Sequence, residues 1–144
     1  MKKLILLFLF FSLFLFSSEI AFVKNDDIIF LDVGKINSVQ EIFEKLSTYK
    51  LSDGIETFVP KGILNAYYFV DTALIIDLSS KSIQNYSIDR EVMLVLQILY
   101  SLFENINGID RIYILVDGEQ TDIFIKSVNV YFSFPKELYV KKGE

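Results

Sequence analysis

Four carboxylates stand where acid–base chemistry is conceivable: Asp71, Asp77, Glu91 and Asp117, each beside a strand end, a turn or a helix start. Two such groups flanking a glycosidic bond are the acid and base of a cell-wall glycan hydrolase. No motif ties any two of these four together, and so small a domain leaves little wall for a sugar cleft. Histidine and cysteine are absent from all 144 residues. That excludes Ser or Cys triads with a histidine base and the commonest zinc sites. Asp26-Asp27 is a single acidic pair without the spaced oxygen ligands of a calcium loop, so no metal and no cofactor is expected. A second chemistry is stacking: Tyr67, Tyr68, Phe69 and Tyr113 are candidates to hold a sugar or peptide in a binding module. Aromatic residues in strands are more often core than platform.

These residues hang on the stretch Ser87 to Gly118. Ile88, Val92, Val95, Leu96, Leu99, Leu102, Phe103 and Ile106 recur at spacings of three and four, which predicts one long helix. Its polar stripe is narrow, formed by Arg90, Gln97, Ser101 and Glu104. With Met93, Leu94 and Ile98 flanking the main stripe, more than half the circumference is apolar, so a sheet on one side would not cover it. Another element or another chain must. Ser87 is the predicted N-cap, Asp89 puts a negative charge in the first turn, and Asn107-Gly108 supply a left-handed stop. Arg111 to Val116 then reads as a buried strand, ended by the turn pair Asp117-Gly118.

Around that centre the chain is short. Glu19 to Lys24 and Ile28 to Val33 read as a hairpin with Asn25 to Asp27 as its turn. Ser38-Val39-Gln40-Glu41 matches a capping box and predicts a first helix burying Val39, Ile42, Phe43 and Leu46. Ser52 to Lys61 reads as a loop ending at Pro60-Lys61-Gly62, with an irregular edge strand as the alternative. Ile63 to Val70 and Thr72 to Leu78 read as two strands joined near Asp71. Both are apolar on alternate and intervening positions, which suggests central, doubly covered strands. Gln120 to Lys126 and Val128 to Phe134 alternate as two more strands, and Pro135 with the charged tail ends the ordered region. The sum is one small α+β domain with two helices packed on a mostly antiparallel sheet.

The first 18 residues read as a signal peptide: Met1-Lys2-Lys3, an apolar run from Leu4 to Phe16, then the small pair Ser17-Ser18. The run is too short for a comfortable bilayer crossing, which takes about 20 residues, and suits secretion; an uncleaved anchor is the alternative. Residues 19–135 would form the domain and 136–144 a charged tail. Cleavage removes Lys2 and Lys3 and leaves 12 basic against 19 acidic residues, a formal charge of −7. Such a chain is a poor binder of nucleic acid, and it meets a membrane only through its first segment if that is uncleaved.

Pro60-Lys61-Gly62, the strand end Ile76-Asp77-Leu78-Ser79, Glu91 at the head of an apolar helix containing Gln97 and Ser101, and Ile112 to Gly118 come in an order and spacing that resembles the GerMN domain. This is the sporulation and spore germination family, matched here over about residues 58 to 120. The resemblance implies a fold similar to ring-building modules, an exported or membrane-anchored place in the bacterial envelope, and a non-enzymatic role. It also marks Pro60, Gly62, Asp77, Ser79, Glu91, Asp117 and Gly118 as family-motif positions. The chain differs from some members in carrying one copy rather than two, and it has no lipid-attachment cysteine.

Each motif residue has a structural explanation without a ligand. Pro60, Gly62 and Gly118 set turns. Asp77 caps the amides of its own following loop, and Glu91 complements the helix dipole. The expected function is therefore an extracytoplasmic domain for protein–protein interaction, with an envelope partner or a second copy. A glycan or peptide binding module ranks behind it, and a carboxylate hydrolase last. If Tyr67, Phe69, Tyr113 and Leu115 line an uncovered sheet face, they form an apolar interaction patch. The alternative is that Val128 to Phe134 or the N-terminal hairpin folds over and buries them.

Overall fold

The computed structural model describes residues 17–143. The expected signal peptide lies, except for Ser17 and Ser18, outside the described residues. No helix among the described residues is long and apolar enough to cross a membrane.

Strands β1 (Glu19–Lys24) and β2 (Asp27–Asp32) form an antiparallel hairpin with Lys24 opposite Asp27. Its turn is Asn25-Asp26, at φ 51° and 63°, left-handed values that Asn and Asp adopt more readily than other side chains. Asp27, expected in the turn, already belongs to β2. Helix α1 (Val39–Thr48) follows, capped as its sequence predicts: Ser38 Oγ accepts the Glu41 amide at 3.1 Å. Glu41 reaches back one residue further than the standard box, accepting the Asn37 amide at 2.8 Å. Val39, Ile42, Phe43 and Leu46 are its buried residues, the four that the spacing selects.

A second sheet carries the order β3-β4-β5-β6, from β3 (Leu64–Val70), β4 (Ala73–Leu78), β5 (Arg111–Val116) and β6 (Phe134–Pro135). Its outer pairs are antiparallel and β4–β5 is parallel. The parallel pair follows from the crossover through helix α2 (Ile88–Asn105), since a parallel neighbour needs a long connection. The inner face of this sheet, Leu74, Ile76 and Leu78 with Ile112, Ile114 and Val116, joins α1, α2 and β1 in one core.

Helix α2 is covered on two sides, as its wide apolar surface requires, and the second cover is β1. Gln97 and Ser101 are therefore not on a solvent-facing stripe. Both are fully buried, whereas Arg90 and Glu104 are exposed. Ser101 Oγ accepts the Ala21 amide at 2.9 Å, Gln97 Nε2 donates to the Ala21 carbonyl at 3.1 Å, and Asn105 Nδ2 donates to the Glu19 carbonyl at 2.8 Å. The polar row 97, 101, 105 runs along β1, Asn105 serving Glu19 and both Ser101 and the longer Gln97 serving Ala21, and stands in for a neighbouring strand. Further along the same strand, Glu56 takes over through a single antiparallel bridge to Val23. The loop from Ser52 to Lys61 is a loop apart from that contact.

Three expectations are corrected. β3 is an edge strand, not a central one: the helices and β1 cover the sheet over β4 and β5, and Tyr67, Tyr68, Phe69 and Val70 remain exposed. Gln120 to Lys126 and Val128 to Phe134 do not form strands. They make one bridge, Ile123 to Asn129, and contribute only Phe134 to the sheet, while the amides of the turn between them bond to a side chain from α2. Pro135 does not end the ordered part. It pairs with Arg111, a 3-10 turn follows at Lys136–Leu138, and Tyr139 stacks on Phe103 with ring centroids 6.2 Å apart.

Candidate functional site

The motif residues gather mostly at one end of the larger sheet. Where β4 and β5 finish side by side, Asp117 donates its amide to the Leu78 carbonyl at 2.9 Å, and Ser79 donates its own to the Ile63 carbonyl at 2.7 Å. Asp77 accepts the Gly118 amide at 2.8 Å. It therefore fastens the turn of the neighbouring strand and not its own following loop, a correction that comes from the parallel register placing Asp77 opposite Leu115. Asp117 accepts both the Ser80 amide at 3.0 Å and the Ser80 hydroxyl at 2.6 Å. The hydroxyl first, then the amide, hold the Asp117 carboxyl below the usual carboxylate range. Asp117 and Gly118 sit at φ 50° and 82°, and Val116 and Glu119 exchange amide bonds of 2.9 and 3.0 Å across them. Gly62, at φ 74°, makes the turn after Pro60 that leads into the Ile63 bond.

Glu91 lies apart from this cluster. Ser87 caps α2 by accepting the Arg90 amide at 3.3 Å, and one turn in, Glu91 points into the protein, 1 % exposed. Its Oε2 accepts the Lys126 amide at 2.8 Å. Its Oε1 accepts those of Val128, Ser127 and Ile125 at 3.0, 3.2 and 3.3 Å. The carboxylate is at once a first-turn acid favoured by the helix dipole and the anchor of the 125–128 loop. Lys126 closes the arrangement from outside by donating its ammonium to the Tyr86 carbonyl. The fourth carboxylate, Asp71, sits at φ 53° in the β3–β4 turn, at the other end of the strands from Asp77. Glu91 holds a loop, Asp77 and Asp117 hold turns at one end of the sheet, and Asp71 makes a turn at the other.

The aromatic candidates are divided by register. The two-residue turn after Val70 pairs Val70 with Ala73, Tyr67 with Ile76 and Phe69 with Leu74, so odd residues of β3 share a face with even residues of β4. The parallel pair keeps Ile75 beside Tyr113 and Asp77 beside Leu115. Tyr67 and Phe69 therefore lie on the helix-side face, beyond the helices, with rings in a T-shaped contact at 6.1 Å. Tyr113 and Leu115 lie on the opposite face, half-buried, with Tyr68, Val70 and Ile75. The four residues expected to form one patch do not share a face, and neither do the four proposed as a stacking platform.

The structure presents instead an apolar edge. Tyr67, Tyr68, Phe69 and Val70 are 36, 55, 54 and 52 % exposed, on a strand whose outer side no other described segment pairs with. Tyr68 and Val70 were outside the expected patch. Only the turn length, which sets the parity of the register, would have assigned them. A second exposed aromatic pair, Tyr131 and Phe132, projects from the loop that Glu91 holds. A groove of about 510 Å³ lies between the β1–β2 turn and the start of α2, with Asp26, Glu56 and Asp89 on its walls and the Arg90 guanidinium 5.6 Å from the Phe58 ring. Among the described residues no three acidic side chains converge as a metal site would require.

Comparison with known proteins agrees with this geometry. The profile of the family described as Sporulation and spore germination (Germane) matches residues 19–122. The fold is similar to the tandem GerMN domains of the sporulation protein GerM from Bacillus subtilis, with a TM-score of 0.65 at 15 % identity, over 79 % of this chain and 43 % of that one. This chain thus spans less than half of the tandem structure. The first GerMN domain of the same protein superposes with a TM-score of 0.61 at 14 % identity, over 79 % of this chain and 91 % of that one. A candidate lipoprotein from Clostridium perfringens gives 0.58 at 21 % identity, over 85 and 90 %. No curated protein matches in sequence.

Proposed function

Because this chain belongs to the Sporulation and spore germination family and carries the GerMN fold, we propose that it is a non-catalytic extracytoplasmic domain of the cell envelope that works by protein–protein interaction. The single observation behind this reading is the exposed apolar row Tyr67 to Val70 on the unpaired edge of the larger sheet. A long edge strand without charge or proline is a template for pairing with another chain, and soluble proteins ordinarily blunt such edges. Here the chain blunts β1 with Gln97, Ser101 and Asn105 and leaves β3 bare. The engagement of Asp77, Glu91 and Asp117 by backbone amides supports a structural role for the motif acids.

Placement in the envelope is supported by the leader-like sequence of residues 1–18 and by the fold's occurrence in a candidate lipoprotein and in a sporulation protein. The test has two arms. N-terminal sequencing of the chain from envelope fractions should find a start near Glu19, and an intact Met1 on a cytosolic protein would contradict the location. Replacing Tyr68→Lys and Phe69→Lys together should leave the circular dichroism spectrum unchanged while removing the chain from any larger complex on native gels. Complexes that survive both substitutions would contradict the role assigned to the edge.

A further inference from the structure

We propose that the occupant of the β3 edge is a second copy of this chain, joined antiparallel about a two-fold axis at Tyr68, so that two four-stranded sheets become one. This rests on the interaction reading above and names its partner. β3 carries a register shift between Leu64 and Ala66, which limits its regular ladder to Ala66–Val70. A bulge of this kind disrupts pairing locally. The middle residue of that stretch is Tyr68, and the sequence on either side is self-complementary. About an axis there, Tyr67 of one copy opposes Phe69 of the other on the helix-side face, Ala66 opposes Val70, and Tyr68 opposes itself on the outer face. Opposed aromatic and apolar pairs of this kind are the stabilising unit of a sheet.

The charges are compatible with the same arrangement. About the Tyr68 axis the exposed Asp71 that follows β3 lies opposite the neutral Asn65 of the other copy, so no two like charges meet within the joint. The other edges are poor joints. β2 begins with Asp27 and ends with Asp32, so pairing it with itself sets acid beside acid. β6 is two residues long and one of them is Pro135, which cannot donate to a ladder. Among the described residues β3 is the edge that is long, uncharged and matched to itself.

The absence of cysteine from the sequence makes the test clean. Opposite residues in an antiparallel pair have Cα atoms about 4.5 to 5.5 Å apart, within the span of a disulfide. The chain from Ser17 onward holds every core residue from Ile20 to Val130 and is the form to use. Tyr68→Cys should be captured as a covalent dimer under mild oxidation, while Phe132→Cys, which is 70 % exposed in the parent, should stay largely monomeric. In sedimentation equilibrium the parent should dimerise with concentration, and Tyr68→Lys should weaken that dimer by at least about tenfold, as loss of a central aromatic contact does. A parent that stays monomeric, a dimer indifferent to Tyr68→Lys, or equal crosslinking at both cysteines would overturn the proposal. A chain monomeric in solution whose β3 is captured in the envelope by a protein of different mass would overturn self-pairing and leave the interaction reading standing.

Discussion

The Glu91 carboxylate accepts the backbone amide of Lys126 at 2.8 Å across 35 positions of sequence, from a side chain that is 1 % exposed. With the three further amides it receives, one carboxylate does for the 125–128 loop what a neighbouring strand does elsewhere.

Glu91→Gln keeps the size but replaces an oxygen acceptor with an amide donor facing backbone N–H groups. The loss of charge-assisted hydrogen bonds at a buried site should cost about 2–4 kcal/mol in urea denaturation. Native-state proteolysis should show the first new cleavages between Gln120 and Ser133. An unchanged denaturation midpoint would mean that the loop is held by Phe124 and Val130 alone.

Gln97→Leu should be costlier than Ser101→Ala. Gln97 serves the Ala21 carbonyl, the Thr57 hydroxyl and the Phe58 amide, whereas Ser101 serves the Ala21 amide alone. Each buried group left without a partner costs about 1–3 kcal/mol, so denaturation should rank the two in that order. Equal, small losses would show that β1 rides on its apolar contacts and not on the polar row.

Local signals in the sequence were reliable where one residue type has one physical use. Ser38 and Ser87 cap, Asn25 and Asp71 turn, and Gly108 and Gly118 take positive φ, each for a reason confined to a few neighbours. The helix faces were legible in α1, whose apolar positions meet one core. In α2 the buried positions include Gln97 and Ser101, because β1 brings backbone groups that need partners; a polar row at spacing four on an otherwise apolar helix was the available signal. Strand order was not legible. The apolar, two-faced pattern of β3 reads as a central strand, and the difference is decided by which elements the helices cover. The aromatic patch failed for a simpler reason: a two-residue turn makes the pairing sums odd, and that parity moved Tyr67 and Phe69 to the face opposite Tyr113 and Leu115.

The Asp117–Ser80 pair makes stability depend on pH in a defined direction. The folded-state pKa of Asp117 is lowered, so the folded chain binds fewer protons and the contribution is present above the unfolded value of about 3.9. It is lost as pH falls through the folded value. Asp32 and Asp110 are shifted the same way by their own partners. The difference in denaturation midpoint between the parent and Asp117→Asn therefore isolates this pair. It should be largest near neutral pH and shrink on acidification below about pH 4; a difference that grows with acid would contradict the assignment.

Gly118→Ala probes the turn that Asp77 fastens. An added Cβ would meet no atom within 4 Å, so the cost should be that of placing an L side chain at φ 82°, about 1–2 kcal/mol. A much larger loss would show that the Asp77 contact is broken as well.

The central claim is that β3 is the surface through which this domain meets another protein. A photo-crosslinking residue placed at Tyr68 or at Ile88 in intact cells tests it, because the two side chains are equally exposed at 55 % and differ only in lying on the sheet edge or at the start of α2. Adducts to protein should form from position 68 and be absent or minor from position 88. No adduct at 68, or the same adducts at both, would contradict the account.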